Sequence, residues 1–124
     1  MARVVCIHEL VFRAEAVGKE AEFEQFVAEE FGPKIGGTMG AEVRLLKGVR
    51  GARIGGYTML LEFPTTEAFT RLWPLGPGPG TEEARTLHQE HAATLAKYSS
   101  FVEQHVNTEY VETCGQAAAL EETP

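Results

Sequence analysis

The chain has 124 residues, enough for one domain with its own core, and 44% hydrophobic with 23% charged residues is the balance of a globular protein. Eighteen acidic against eleven basic residues leave a formal net charge of −7, which repels phosphate backbones and anionic membrane surfaces, so neither nucleic acid nor membrane is an expected partner. No apolar run approaches the roughly 20 residues of a membrane-spanning helix, and MARVVCIHEL lacks the basic region, apolar core and cleavage site of a signal peptide.

Cys6 and Cys114 make neither a disulfide framework nor a CxxC pair. A cytoplasmic protein with reduced thiols is therefore expected.

Residues 3–12 read as the first strand. Val4, Cys6, His8, Leu10 and Phe12 project one way, and Val5, Ile7, Glu9 and Val11 the other. Both sets are mostly apolar, the pattern of a central strand covered on two sides. Residues 18–31 read as an amphipathic helix, with Phe23, Phe26, Val27 and Phe31 on one stripe and most of its glutamates outside it. Gly32-Pro33 is expected to end or kink this helix, leaving KIGGTMG as loop with room for one extra turn.

Residues 42–47 and 57–63 then form a hairpin around the glycine-rich GVRGARIGG. Pro64 ends its second strand. Thr65 or Thr66 caps a short helix, with Glu67 in the first turn, that runs to Trp73-Pro74. LGPGPG, residues 75–80, is a loop inside the domain. It lacks the Lys-Ser/Thr of a phosphate-cradling motif and does not follow a strand.

Thr81 caps the next helix. Ala84, Leu87, His91, Leu95, Tyr98 and Val102 follow at steps of 3, 4, 4, 3 and 4, a helical period that predicts one long helix with His91 at the centre of its apolar stripe. Residues 106–113 read as the last strand. The domain is thus residues 1–113, with 114–124 as a tail. Merging the helical pieces around the Gly-Pro loop gives the split β-α-β-β-α-β order of a ferredoxin-like α+β sandwich.

HELVFR, EFEQFVAEE, RLLKG, YTMLLEF and TEAFTRLWP, taken in this order, resemble the dimeric α+β barrel superfamily. That superfamily includes antibiotic-biosynthesis-monooxygenase-like, stress-responsive A/B-barrel, EthD-like and NIPSNAP-like proteins. The resemblance covers residues 3–113. It implies a homodimer whose two four-stranded sheets close into a barrel, with a pocket in each subunit between sheet and helices. Its members include cofactor-independent monooxygenases, polyketide cyclases and haem-handling enzymes. The monooxygenases pair an Asn with Trp or other aromatic partners; this chain departs from them, with one Trp, Trp73, and one Asn, Asn107, near its end. Cyclase-like members use His and Tyr, and both are present.

Three residues are candidates for proton chemistry. Ala84, Leu87, Leu95, Tyr98 and Val102 all fall within about 40° of His91 on a helical wheel, so His91 is expected to face the sheet, where an imidazole can act as base or acid. His8 shares a face with Cys6, Leu10 and Phe12. It belongs to the same pocket if that face meets the helices, and to the barrel interior if it does not. Tyr57 could donate to an oxyanion or enol. Phe12, Trp73 and Tyr98 are candidate pocket walls.

His88 and His91 stand at i and i+3, but HQEH is neither HExxH nor HxxEH, so no metal or other cofactor is expected. Lys47, Arg50 and Arg53, with Arg44 nearby, read as a solvated basic hairpin. Two functional readings follow. One is a pocket for an apolar or aromatic, polyketide-like ligand, with cofactor-independent cyclase, isomerase or monooxygenase-like chemistry in which His91 is the base. The other is a non-catalytic homodimeric binding or structural protein with His91 in the core.

Overall fold

The computed structural model describes residues 2–114. Four strands, β1 (Val4–Phe12), β2 (Glu42–Lys47), β3 (Tyr57–Phe63) and β4 (Val102–Val111), form one antiparallel sheet in the order β2-β3-β1-β4. With helices between β1 and β2 and between β3 and β4, this is the ferredoxin-like α+β arrangement expected from the element order. The hairpin strands β2 and β3 fall where the pattern of β-favouring residues places them.

Alternation decides which residues enter the core. Val4, Cys6 and Leu10 of β1 and Tyr57, Met59, Leu61 and Phe63 of β3 are buried beneath the helices. Val5 and Ile7 point away from them and stay half-buried, while Val11 is exposed. His8 shares the parity of Cys6, so the helix-covered face is its side.

The first helical region departs from the expectation. α1 (Glu20–Phe26) passes without a break into a π-helical segment, Val27–Gly36, and then a single turn, α2 (Gly37–Met39). Pro33 lies inside it and does not stop it. In an α-helix the Pro33 ring would press on the carbonyl four residues back; the wider π turn moves that carbonyl aside. Gly40, in the left-handed region at φ 73°, ends the run.

α3 (Thr66–Thr70) is capped by the Thr65 hydroxyl, which accepts from the Ala68 amide at 3.1 Å. It ends before Trp73, and residues 71–73 continue only as a turn. Thr81 caps α4 (Glu82–Glu90) by accepting from the Ala84 amide at 3.3 Å.

The long helix expected through His91 is two helices. His91 itself has φ −110° and ψ 22°, outside the helical range, and separates α4 from α5 (Ala92–Phe101). β4 then starts at Val102, four residues earlier than the pattern suggested. Phe12 of β1 pairs with Val102, and the Arg13 amide donates to the Phe101 carbonyl at 2.8 Å, so strand pairing claims the chain as soon as α5 ends. Most of the expected tail lies outside the described residues. Cys6 is buried and Cys114 exposed; both are free thiols. Among the described residues no helix is long and apolar enough to cross a membrane.

Candidate functional site

Between the sheet and the helices lies a pocket of about 580 Å³. Its floor is Met59, Leu61 and Phe63 of β3 and Cys6 of β1. Phe31, Ile35 and Met39 close one side, and Phe69, Trp73 and Leu87 the other. The polar end lies along β4, where His8, Gln104, Asn107 and Glu109 meet. A large apolar chamber with a few convergent polar groups is the usual form of a small-molecule site.

That polar end exists because of a β-bulge. The pairing of β1 with β4 slips between Glu9 and Leu10, so that Val106 faces Glu9 and Gln104 faces Leu10, leaving His105 as the extra residue. Residues three apart on a regular strand point to opposite faces. Here the bulge turns Gln104 and Asn107 to the same face, and the Asn107 amide donates to Gln104 Oε1 at 3.0 Å. The Gln104 amide in turn lies 3.0 Å from His8 Nδ1.

Burial lowers the His8 pKa, and the Glu109 carboxylate opposes that shift. The Cys6 thiol beside it is pushed up to about 12, first by burial and then by Glu109, so it stays protonated and unreactive at neutral pH. A histidine whose folded pKa lies below its unfolded value supports folding above the unfolded pKa of about 6.5 and withdraws that support as pH falls. Acidification below about pH 6.5 is therefore expected to destabilise the protein, and His8→Phe to flatten that part of the pH–stability curve. Urea midpoints from pH 7.5 to 5 would test this; an unchanged slope in the variant would remove His8 as the cause.

Tyr98 joins the same end. It is buried, and among the described residues its hydroxyl makes no hydrogen bond, although Gln104 lies beside it. Burial raises its pKa, so the phenol stays protonated. Arg13 reaches the rim, where its guanidinium donates to the Ser99 carbonyl and pairs with Glu103 at 2.6 Å.

The residues read as catalytic from the sequence do not meet in one place. His8, Trp73 and Tyr98 line the pocket; His91, Tyr57 and Phe12 do not. His91 sits at the junction of α4 and α5, with Nε2 3.1 Å from Thr38 Oγ1. The single Thr38 hydroxyl proton goes to the Lys34 carbonyl at 2.8 Å, so Thr38 accepts and His91 Nε2 donates. His91 thus ties the helix junction to α2 across the surface. One turn earlier, His88 reaches the pocket instead.

Tyr57 lies in a separate groove of about 530 Å³ between α1, the π-helical segment and β2. Its hydroxyl donates to Glu24 Oε2 at 2.5 Å, and Lys47 Nζ stands 5.6 Å from its ring centroid. Burial, with Glu24 adding to it, raises the Tyr57 pKa. Phe12 belongs to the aromatic core, 5.5 Å from Phe23 and 6.3 Å from Phe101. Arg53 of the basic hairpin folds back, donating to the Leu10 carbonyl at 3.2 Å and to that of Tyr57.

The sequence matches no protein-family model and no curated protein. Among solved structures, a NIPSNAP family protein from Agrobacterium tumefaciens superposes with a TM-score of 0.58 at 14% identity, over 90% of this chain and 91% of that one. The chain has the fold of a NIPSNAP family protein. At this identity the likeness extends to the fold alone. What this fold holds in its pocket has to be read from the residues of this chain.

Proposed function

We propose that the chain is a small-molecule-binding protein whose pocket takes an apolar or aromatic ligand. The observation that carries this is the chamber of about 580 Å³, walled by Phe31, Met59, Phe63, Phe69 and Trp73, with its polar groups gathered mainly at the β4 end and His88 on α4. Trp73 is the single tryptophan and lies in the wall, so its emission reports on occupancy. Titration with two- and three-ring aromatic compounds is expected to change Trp73 fluorescence saturably and to raise the melting temperature. Emission and melting unchanged across such a set would count against the pocket.

The arrangement favours binding over the proton abstraction by His91 considered above. His91 lies outside the chamber with Nε2 engaged by Thr38. Tyr57 is engaged by Glu24 in another groove. Within the chamber, His8 and Tyr98 are among the groups able to meet a polar atom of the ligand.

A homodimer is part of the same reading. The sheet face away from the helices carries Val5, Ile7 and Leu60, with Val11, Leu46, Val106 and Tyr110 44% or more exposed. Arg3 and Arg44 flank Glu62 at one end and Glu9 meets Arg53 at the other, so the apolar centre has charged ends. A contiguous apolar sheet face of this kind fits a second copy. Sedimentation is expected to give a dimer for the wild-type chain and a monomer for Leu60→Glu. A wild-type monomer at tens of micromolar would end this part of the proposal.

A further inference from the structure

From the direction of the hydrogen bonds at the β4 end, we infer that the pocket selects a ligand presenting a neutral hydrogen-bond acceptor, a ketone or quinone carbonyl on an aromatic body, with His8 as its donor. This rests on the pocket reading above. Asn107 donates to Gln104 Oε1, which turns the Gln104 amide N–H toward His8 Nδ1. An amide nitrogen only donates, so Nδ1 accepts and the proton of the neutral ring sits on Nε2. Among the described residues Nε2 has no partner, and His8 lines the pocket. The free nitrogen of His8 is thus an N–H donor and not a base.

A second donor stands beside it. Tyr98 is 94% buried and lines the pocket, and among the described residues its hydroxyl has no partner. A ligand oxygen that reaches this hydroxyl relieves a buried unsatisfied group while Gln104 stays on His8. The local charge sets the rest of the preference. Glu109 acts on both His8 and Cys6, and Arg13, the one Lys or Arg lining the pocket among the described residues, is committed to Glu103 and the Ser99 carbonyl. The net field is negative, so a carboxylate is repelled while a neutral carbonyl is accepted.

Three ring-matched probes test this by equilibrium dialysis: 2-acetylnaphthalene, 2-ethylnaphthalene and 2-naphthoate. The ketone is expected to bind about fivefold tighter than the hydrocarbon, the ratio that one hydrogen bond confers, with naphthoate the weakest. His8→Phe is expected to bring the ketone-to-hydrocarbon ratio to about one, and Glu109→Gln to strengthen naphthoate binding. Equal binding of ketone and hydrocarbon by the wild-type protein, or tightest binding of naphthoate, overturns the inference and leaves the pocket standing. Failure of all three to bind overturns the pocket reading itself. Independently of any variant, long-range ¹⁵N–¹H correlation spectra are expected to show His8 protonated at Nε2; a proton on Nδ1 overturns the assignment of His8 as donor.

Discussion

Phe23→Ala is expected to destabilise the protein by about 3–5 kcal/mol, the range for removing a fully buried phenylalanine. Phe23 is 0% exposed and sits where the layers meet. Its ring lies 5.3 Å from Phe101, 5.4 Å from Tyr57, 5.5 Å from Phe12 and 6.1 Å from Tyr98. These neighbours come from α5, β3 and β1, so no single element can move in to fill the void. Close-packed interiors relax only partly around such a loss. Since a domain of this size holds about 5–15 kcal/mol in total, the variant should populate unfolded chain near physiological temperature. Urea unfolding followed by Trp73 emission measures it, with Val49→Ala, at 85% exposure, as a control within about 0.5 kcal/mol of wild type. A loss under about 2 kcal/mol for Phe23→Ala would mean that the aromatic layer collapses more easily than its geometry implies.

The fold was legible because its signals are local. Runs of apolar and β-favouring residues marked β1, β2 and β3, and a capping threonine marked each of two helix starts. Where the reading failed, tertiary contacts overrode local pattern. Pro33 is an ordinary helix terminator by its own chemistry, but the segment packed against β2 continues through it as a π-helix. The period from Ala84 to Val102 is genuine, since Leu87, Leu95 and Tyr98 all reach the pocket. The backbone break at its midpoint leaves no trace in that period, and it is what takes His91 out of the stripe and brings His88 to the pocket.

The polar end of the pocket was half legible. His8 could be assigned to a face but not to the helix-covered or open one, because both faces of β1 are apolar. Gln104 and Asn107 could not be paired from the sequence. Residues three apart on a strand belong to opposite faces, and only the bulge at His105 brings them together. Nothing in HVNTEY announces a bulge, which is set by the register of β4 against β1. A functional group built by a strand irregularity is thus invisible to periodicity, which assumes regular strands.

The close fit of the π-helical segment to β2 gives the second large expectation. Gly36 is buried, and a Cβ there would lie 2.8 Å from Val43 Cγ2 and 2.9 Å from the Ala41 carbonyl oxygen. The carbonyl cannot easily retreat, because the Ala41 amide is tied to the Gly36 carbonyl at 2.9 Å. Gly36→Ala therefore sets two effects against each other. Alanine gains up to about 1 kcal/mol of helix preference, and overpacking costs about 1–3 kcal/mol. Overpacking should win, giving a net loss of about 1–2 kcal/mol. The displaced segment carries Ile35, which with Met39 closes one side of the pocket, so affinity for an aromatic ligand should fall together with stability. Gly37→Ala isolates the packing effect. That neighbour has helical angles, φ −61° and ψ −42°, and open space where its Cβ would go, so it should gain about 0.5–1 kcal/mol. Urea midpoints moving in opposite directions for the two alanines, one residue apart, is the expected result. Equal stabilisation of both would show that the segment does not pack on β2 closely enough to shape the pocket.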